Sequence, residues 1–203
     1  DSGHVRVFKN INSTWTQIGS DIDGEAAGDN FGKSVALSND GSLIAIGAKY
    51  TKGENKINSG YVKIFKDING VWNQIGNNIE GESEGDSFGG FTTSISLSDD
   101  GQIVAISGPK NDGNGIDSGH VRVFKNINNN WTQVGSDIDG EAAGDKSGSS
   151  VSLSSDGSVL AIGGRYNDGN GIDSGHARVF KLTEISSDES INISTKSGKY
   201  VLI

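Results

Sequence analysis

The segment Asp1-Ser2-Gly3-His4-Val5-Arg6-Val7-Phe8-Lys9-Asn10-Ile11-Asn12 recurs letter for letter from Asp117 to Asn128. Looser copies start at Asn58 (NSGYVKIFKDIN) and Asp173 (DSGHARVFK). Units beginning at 1, 58, 117 and 173 are spaced by 57, 59 and 56 residues, about three and a half units in 203 residues. Self-similarity at such a period restricts the chain to folds in which each unit buries its apolar face on the next.

Each unit predicts four short strands. In the first they are residues 5–8, 14–18, 31–37 and 42–47, rich in β-branched side chains. Between the last two lies Asn39-Asp40-Gly41, a tight-hairpin signal, because Asn and Gly tolerate positive φ. No window keeps a 3.6-residue period, so helices are not expected. The small residues Ala45, Ala105 and Ala161 on the fourth predicted strand suit inner strands crowded near an axis. The expected fold is all-β: β-propeller-type blades of four antiparallel strands, open or part of a larger ring, with a solenoid as the fallback. Closed propellers have about four to eight blades. The chain therefore lacks enough strands for a ring of the usual kind, and exposed sheet edges recruit partner strands.

Composition narrows the function classes. With no Cys there is no disulfide, thiolate nucleophile or Cys-type zinc site. The net charge of −9 repels phosphate backbones, so nucleic acid is not an expected partner. No apolar run reaches the roughly 20 residues of a membrane-spanning helix. The sequence opens without Met or a signal-peptide pattern, as expected of an excerpt or a processed product.

The run Gly28-Asp29-Asn30-Phe31-Gly32, then Val35-Ala36-Leu37-Ser38, Asp40-Gly41, Ile44-Ala45-Ile46-Gly47-Ala48 and Ser59-Gly60-Tyr61-Val62, resembles an FG-GAP repeat. That family is similar to the blades of integrin α-chain propellers, and the resemblance covers residues 1–181. It implies propeller blades of an extracellular or cell-surface protein. The family's calcium loop lies at the hairpin that is only Asn39-Asp40-Gly41, Asp99-Asp100-Gly101 or Ser155-Asp156-Gly157 here, and most of its usual ligands are missing. Two departures stand out: Ser147-Gly148 replaces Phe-Gly in the third unit, and the second carries extra residues at Phe88-Gly89-Gly90-Phe91. Residues 182–203 break the repeat. They read as a degenerate final hairpin, as a strand donated to a neighbouring subunit, or as a segment resembling the C-terminal sorting domain of type IX secretion cargo.

The first candidate site is an acidic loop in each unit. Asp21, Asp23, Glu25 and Asp29 are matched by Glu80, Glu82 and Asp86 (with Asn78), and by Asp137, Asp139, Glu141 and Asp145. Alternating carboxylates in a turning loop suit Ca²⁺, which takes six to eight oxygens. The competing reading is a solvated turn in which Asp29 and its equivalents cap loop amides. A second loop, residues 111–117 and again 167–173, is also oxygen-rich, and its Asn, Asp and Gly are explained by turns. Trp15, Trp72 and Trp131 occupy one slot and are candidates for stacking on sugar rings, or for packing between blades. His4, Tyr61, His120 and His176 share another slot, and Tyr is a poor stand-in for an imidazole ligand, so these His are read as structural. Asn12, Asn130 and Asn192 begin glycosylation sequons.

Two catalytic look-alikes are set aside. Asp-Ser-Gly-His occurs three times as a strand entry, and a triad is defined by geometry, not adjacent letters. Gly85-Asp86-Ser87-Phe88-Gly89 matches G-x-S-x-G, but that elbow needs a following helix. The sequence thus predicts a non-catalytic extracellular structural or adhesive repeat protein, a self-assembling cell-surface or filament subunit that forms homo-oligomers or binds surface proteins and glycans. The alternative is a glycan-binding, lectin-like propeller.

Overall fold

Three turns of one design organise the sheets. Ser38 Oγ donates to Asp40 Oδ1 at 2.7 Å, and the same oxygen accepts the Ser42 amide at 2.9 Å. Gly41 completes the turn at a φ of 71°. Ser98–Asp100 and Ser154–Asp156 repeat the arrangement. The Ser154 hydroxyl and Ser158 groups hold the Asp156 carboxyl down at about 2. Consecutive turns are tied together, Asn39 N–H donating to the Asp99 carbonyl at 2.9 Å and Asp99 N–H to the Ser155 carbonyl at 2.8 Å.

The computed structural model describes residues 2–50 and 58–182. The readings made of the tail, Asn192 included, lie outside the described residues from 183 onward. The first half-unit supplies β1 (His4–Val5), β2 (Phe8–Ile11), β3 (Thr14–Gln17) and β4 (Ile22–Asp23). The first full sheet contains β5 (Phe31–Leu37), β6 (Leu43–Ala48), β7 (Tyr61–Ile68), β8 (Val71–Gln74) and β9 (Ile79–Glu80). The second contains β10 (Ile95–Leu97), β11 (Ile103–Gly108), β12 (His120–Ile127), β13 (Asn130–Gln133) and β14 (Ile138–Asp139). The third contains β15 (Ser147–Leu153), β16 (Val159–Gly164) and β17 (His176–Lys181).

Both full sheets have the blade order, β5-β6-β7-β8 and β10-β11-β12-β13, antiparallel throughout. After β8 or β13 the chain turns back, so that β9 pairs with the start of β7 and β14 with the start of β12. The described residues hold no helix, and their sheets form an open series of blades rather than a closed ring. In the second sheet the extra residues 88–91 form a turn, and β10 is correspondingly short.

The core lies between sheets. Val62, Ile64 and Ile79 of one blade bury themselves on Phe88, Ile95, Val104, Ile106 and Phe124 of the next. Val121, Val123, Val134 and Ile138 meet Leu160, Ile162 and Phe180 at the following junction. Every residue of β6 is buried, whereas β16 is only half covered. Burial therefore depends on having a blade on both sides, as expected of a repeat whose units cannot bury their own faces.

Candidate functional site

The acidic loops sit at the blade junctions, and each carboxylate slot has its own task. The innermost is a buried cap. Asp29 accepts the Ala26 amide at 3.1 Å, Asp86 the Glu82 and Ser83 amides at 3.1 and 2.8 Å, and Asp145 the Ala142 amide at 3.1 Å. The next element reaches back to the same carboxylates: Tyr61 Oη donates to Asp29 at 3.1 Å, Asn111 Nδ2 to Asp86 at 3.3 Å and Asn167 Nδ2 to Asp145 at 2.9 Å. Burial and the Asp29 carboxylate push the Tyr61 hydroxyl far above its ordinary pKa.

The outermost slot is held by the preceding strand. Gln17, Gln74 and Gln133 donate to Asp21, Asn78 and Asp137 at 2.8, 3.0 and 2.7 Å. Asp23, Glu80 and Asp139 lie in the short strands β4, β9 and β14, opposite His4, Tyr61 and His120. The glutamate slot bridges blades. Glu25 pairs with Lys63, Glu82 lies 3.7 Å from Arg122 Nε, and Glu141 lies 3.5 Å from His176 Nδ1. The sequence groups these four slots in one acidic loop, and the structure gives them the roles of a cap, a strand tie, a strand position and a bridge.

Among the described residues one set of three ligand-type side chains converges, with donor atoms all within 4.8 Å: Glu82, His120 and Asp137. His120 is fully buried, with its ring edge-on to Phe88 at 5.7 Å. Its Nδ1 lies 3.3 Å from Asp137 Oδ2 and 3.9 Å from Glu82 Oε2. Arg122 Nε stands 3.7 Å from Glu82 Oε1 and from Asp137 Oδ1. Gln133 Oε1 accepts from Arg122 Nε and Nη2 at 2.9 and 2.8 Å. Desolvation, then the Asp137 carboxyl, raise the pKa of Glu82, while His120 beside Asp137 holds that carboxyl well below the usual range. The two acids therefore differ in their hold on a proton, as expected when two carboxyls share one site.

His120 was missed as a site residue because Tyr61 fills its slot in the preceding unit. The signal lies in slots that change together. Tyr61 goes with Lys63 and Asn78, whereas His120 goes with Arg122 and Asp137.

The tryptophans divide by neighbour. Trp72 Nε1 donates to the Ile18 carbonyl at 2.9 Å and Trp131 Nε1 to the Ile75 carbonyl at 3.2 Å, both across a junction. Trp15 is 69% exposed. A groove of about 300 Å³ runs beside Trp72, lined in part by Asp21, Asp23, Lys63, Phe65 and Gln74. Asn12 and Asn130 are exposed at their hairpins, where a glycan has room. Ser87, of the G-x-S-x-G match, is buried in a turn and donates to the Gly85 carbonyl at 3.3 Å.

Comparison with known proteins agrees with the repeat reading. Residues 21–65 match the FG-GAP repeat. That span runs from the first acidic loop through the hairpin of β5 and β6 into β7. No curated protein matches the sequence. Among solved structures, TolB from Acinetobacter baumannii is similar over 91% of this chain and 37% of its own length, at 13% identity and a TM-score of 0.44. The chain thus spans little more than a third of that protein. No helix among the described residues is long and apolar enough to cross a membrane.

Proposed function

We propose that this repeat-domain protein is a non-catalytic structural module of the cell surface or extracellular space, which assembles by packing its blades against further blades. One observation carries the reading: a face that is buried at the second junction is open at the first. Val35 and Leu37 of β5 are 51% and 50% exposed, whereas Ile95, in the slot of Val35, is 7% exposed against the preceding sheet. Trp15, Phe8 and Ile11 of the first half-unit are exposed as well. The repeated polar groups support the same reading, because they hold loops and neighbouring blades together in every unit.

Light scattering on a sizing column tests it. A dimer or larger assembly is expected, and substituting Val35 and Leu37 by Asp and Lys should shift it towards monomer. A native particle at the 21.1 kDa chain mass, unchanged by the substitutions, would argue against assembly through this face.

The groove beside Trp72 favours a second reading, glycan binding, since an aromatic rim with carboxylate, amine and amide groups suits sugar hydroxyls. On a glycan array this reading expects a signal that Trp72→Phe weakens severalfold. An array without signal for the unaltered chain removes it.

A further inference from the structure

We propose that Glu82, His120 and Asp137 form a binding site for a divalent transition metal of the zinc type, clamping the β5–β8 blade to the β10–β13 blade. The three come from different segments. Glu82 follows β9, His120 opens β12, and Asp137 precedes β14. Their donor atoms nonetheless gather within 4.8 Å of one another.

Three features separate this cluster from a surface acid patch. First, both His120 ring nitrogens are buried without a hydrogen bond, and Nδ1 is directed at the two carboxylates. An unpaired buried donor or acceptor is costly, and a metal bond satisfies it. Second, the carboxylate oxygens are sorted. Oδ1 of Asp137 is taken by Gln133 and faces Arg122, and Oε1 of Glu82 faces Arg122, whereas Oδ2 and Oε2 turn towards the imidazole. Outer-shell partners of this kind orient ligands in metal sites. Third, the donor set is one imidazole and two carboxylates. An imidazole selects zinc-like ions over calcium, and three protein ligands leave the fourth tetrahedral position open.

The neighbouring junction is an internal contrast. There Tyr61 and Asn78 occupy the slots of His120 and Asp137, and Glu25 pairs with Lys63. The same backbone packing thus forms without the ligands. Replacing His120 and Asp137 by the residues of that junction imitates an arrangement the fold already contains.

The test is calorimetric titration of Zn²⁺ into the chelator-treated 203-residue chain. A His176→Tyr background removes the imidazole that faces Glu141. One equivalent is expected to bind and to raise the melting temperature, as any ligand of the native state does. Glu82→Gln, at a partly exposed position that leaves the core intact, should weaken binding at least tenfold. The double change His120→Tyr with Asp137→Asn should abolish it. Circular dichroism checks that both variants remain folded. Zinc binding unchanged by Glu82→Gln and by the double change would overturn the proposal. So would an absence of zinc binding, or Ca²⁺ binding to the same residues more tightly than Zn²⁺.

Discussion

Phe88→Ala is expected to cost about 3–5 kcal/mol of folding stability, the range for emptying a buried aromatic site. The ring is fully buried at the junction of two blades and belongs to the largest core cluster. It stands edge-on to His120 at 5.7 Å and to Phe124 at 6.5 Å, with the Arg122 guanidinium 5.2 Å from its centre. Collapse around the void is limited, because backbone from neighbouring elements hems the residue in. An ideal Cβ at Gly60 would fall 2.2 Å from the Phe88 carbonyl oxygen, and one at Gly81 3.0 Å from the Phe88 Cβ. The measurement is urea unfolding by fluorescence: the midpoint should fall with the slope little changed. Phe88→Leu, which keeps most of the volume, should lose much less. A loss below about 1 kcal/mol for the alanine variant would show that the junction is not held by its aromatic core.

The blade was legible in the sequence because its determinants are local. β5 spans Phe31–Leu37, as the pattern predicts, and β6 spans Leu43–Ala48, one residue later than expected. The Asx-type turns between them are set by Asp40, Asp100 and Asp156 bonding their own backbone. The predicted strand 5–8 was less well placed. In the first unit it is broken into β1 and β2, whereas its equivalents β7 and β12 are continuous. The difference lies in the ladder: β7 pairs with β6 from Tyr61 to Lys66 and β12 with β11 from His120 to Lys125, while among the described residues Arg6 and Val7 have no such strand beside them. What one strand does thus depends on whether a neighbouring strand is present, and a local pattern does not carry that.

The candidate site was illegible for a related reason. Spacing places Asp21, Asp23, Glu25 and Asp29 in one loop, and an acidic loop read alone resembles a cation cradle. The fold gives each carboxylate a different neighbour, and at the glutamate slot blade stacking supplies it. Glu82 meets His120 across a junction. Asp29 is capped from another unit by Tyr61, 32 residues away. Repetition also obscured the difference between junctions. Equal slots invite equal roles, yet Tyr61 and His120 divide one slot between a hydroxyl that donates to Asp29 and an imidazole aimed at two other acids.

Gly60→Ala should destabilise the protein far more than Gly85→Ala, although the two positions ask almost the same of the backbone. Their φ values are +80° and +86°, in the region L-residues avoid. That strain costs each variant about 1–3 kcal/mol. A Cβ at Gly85 meets nothing within 4 Å. One at Gly60 would lie 2.2 Å from the Phe88 carbonyl oxygen and 2.6 Å from its amide nitrogen, neither of which is the end of a flexible side chain. The Phe88 amide donates to the Ser59 carbonyl at 2.7 Å, so moving this backbone loosens the seat of Phe88 as well. Overpacking of this kind adds about 1–3 kcal/mol or more. The same approach recurs at Gly3 against Phe31 and at Gly119 against Ser147, each with a Cβ-to-oxygen distance of 2.2 Å. The Ser-Gly that opens each of the first three units is therefore the point where one stretch of backbone crosses directly over another, and no side chain fits between them. Paired unfolding curves decide it. A gap of about 1 kcal/mol or more between the two alanine variants assigns the excess to the backbone crossing. Equal losses would leave φ strain as the whole effect and remove the packing role assigned to Gly60.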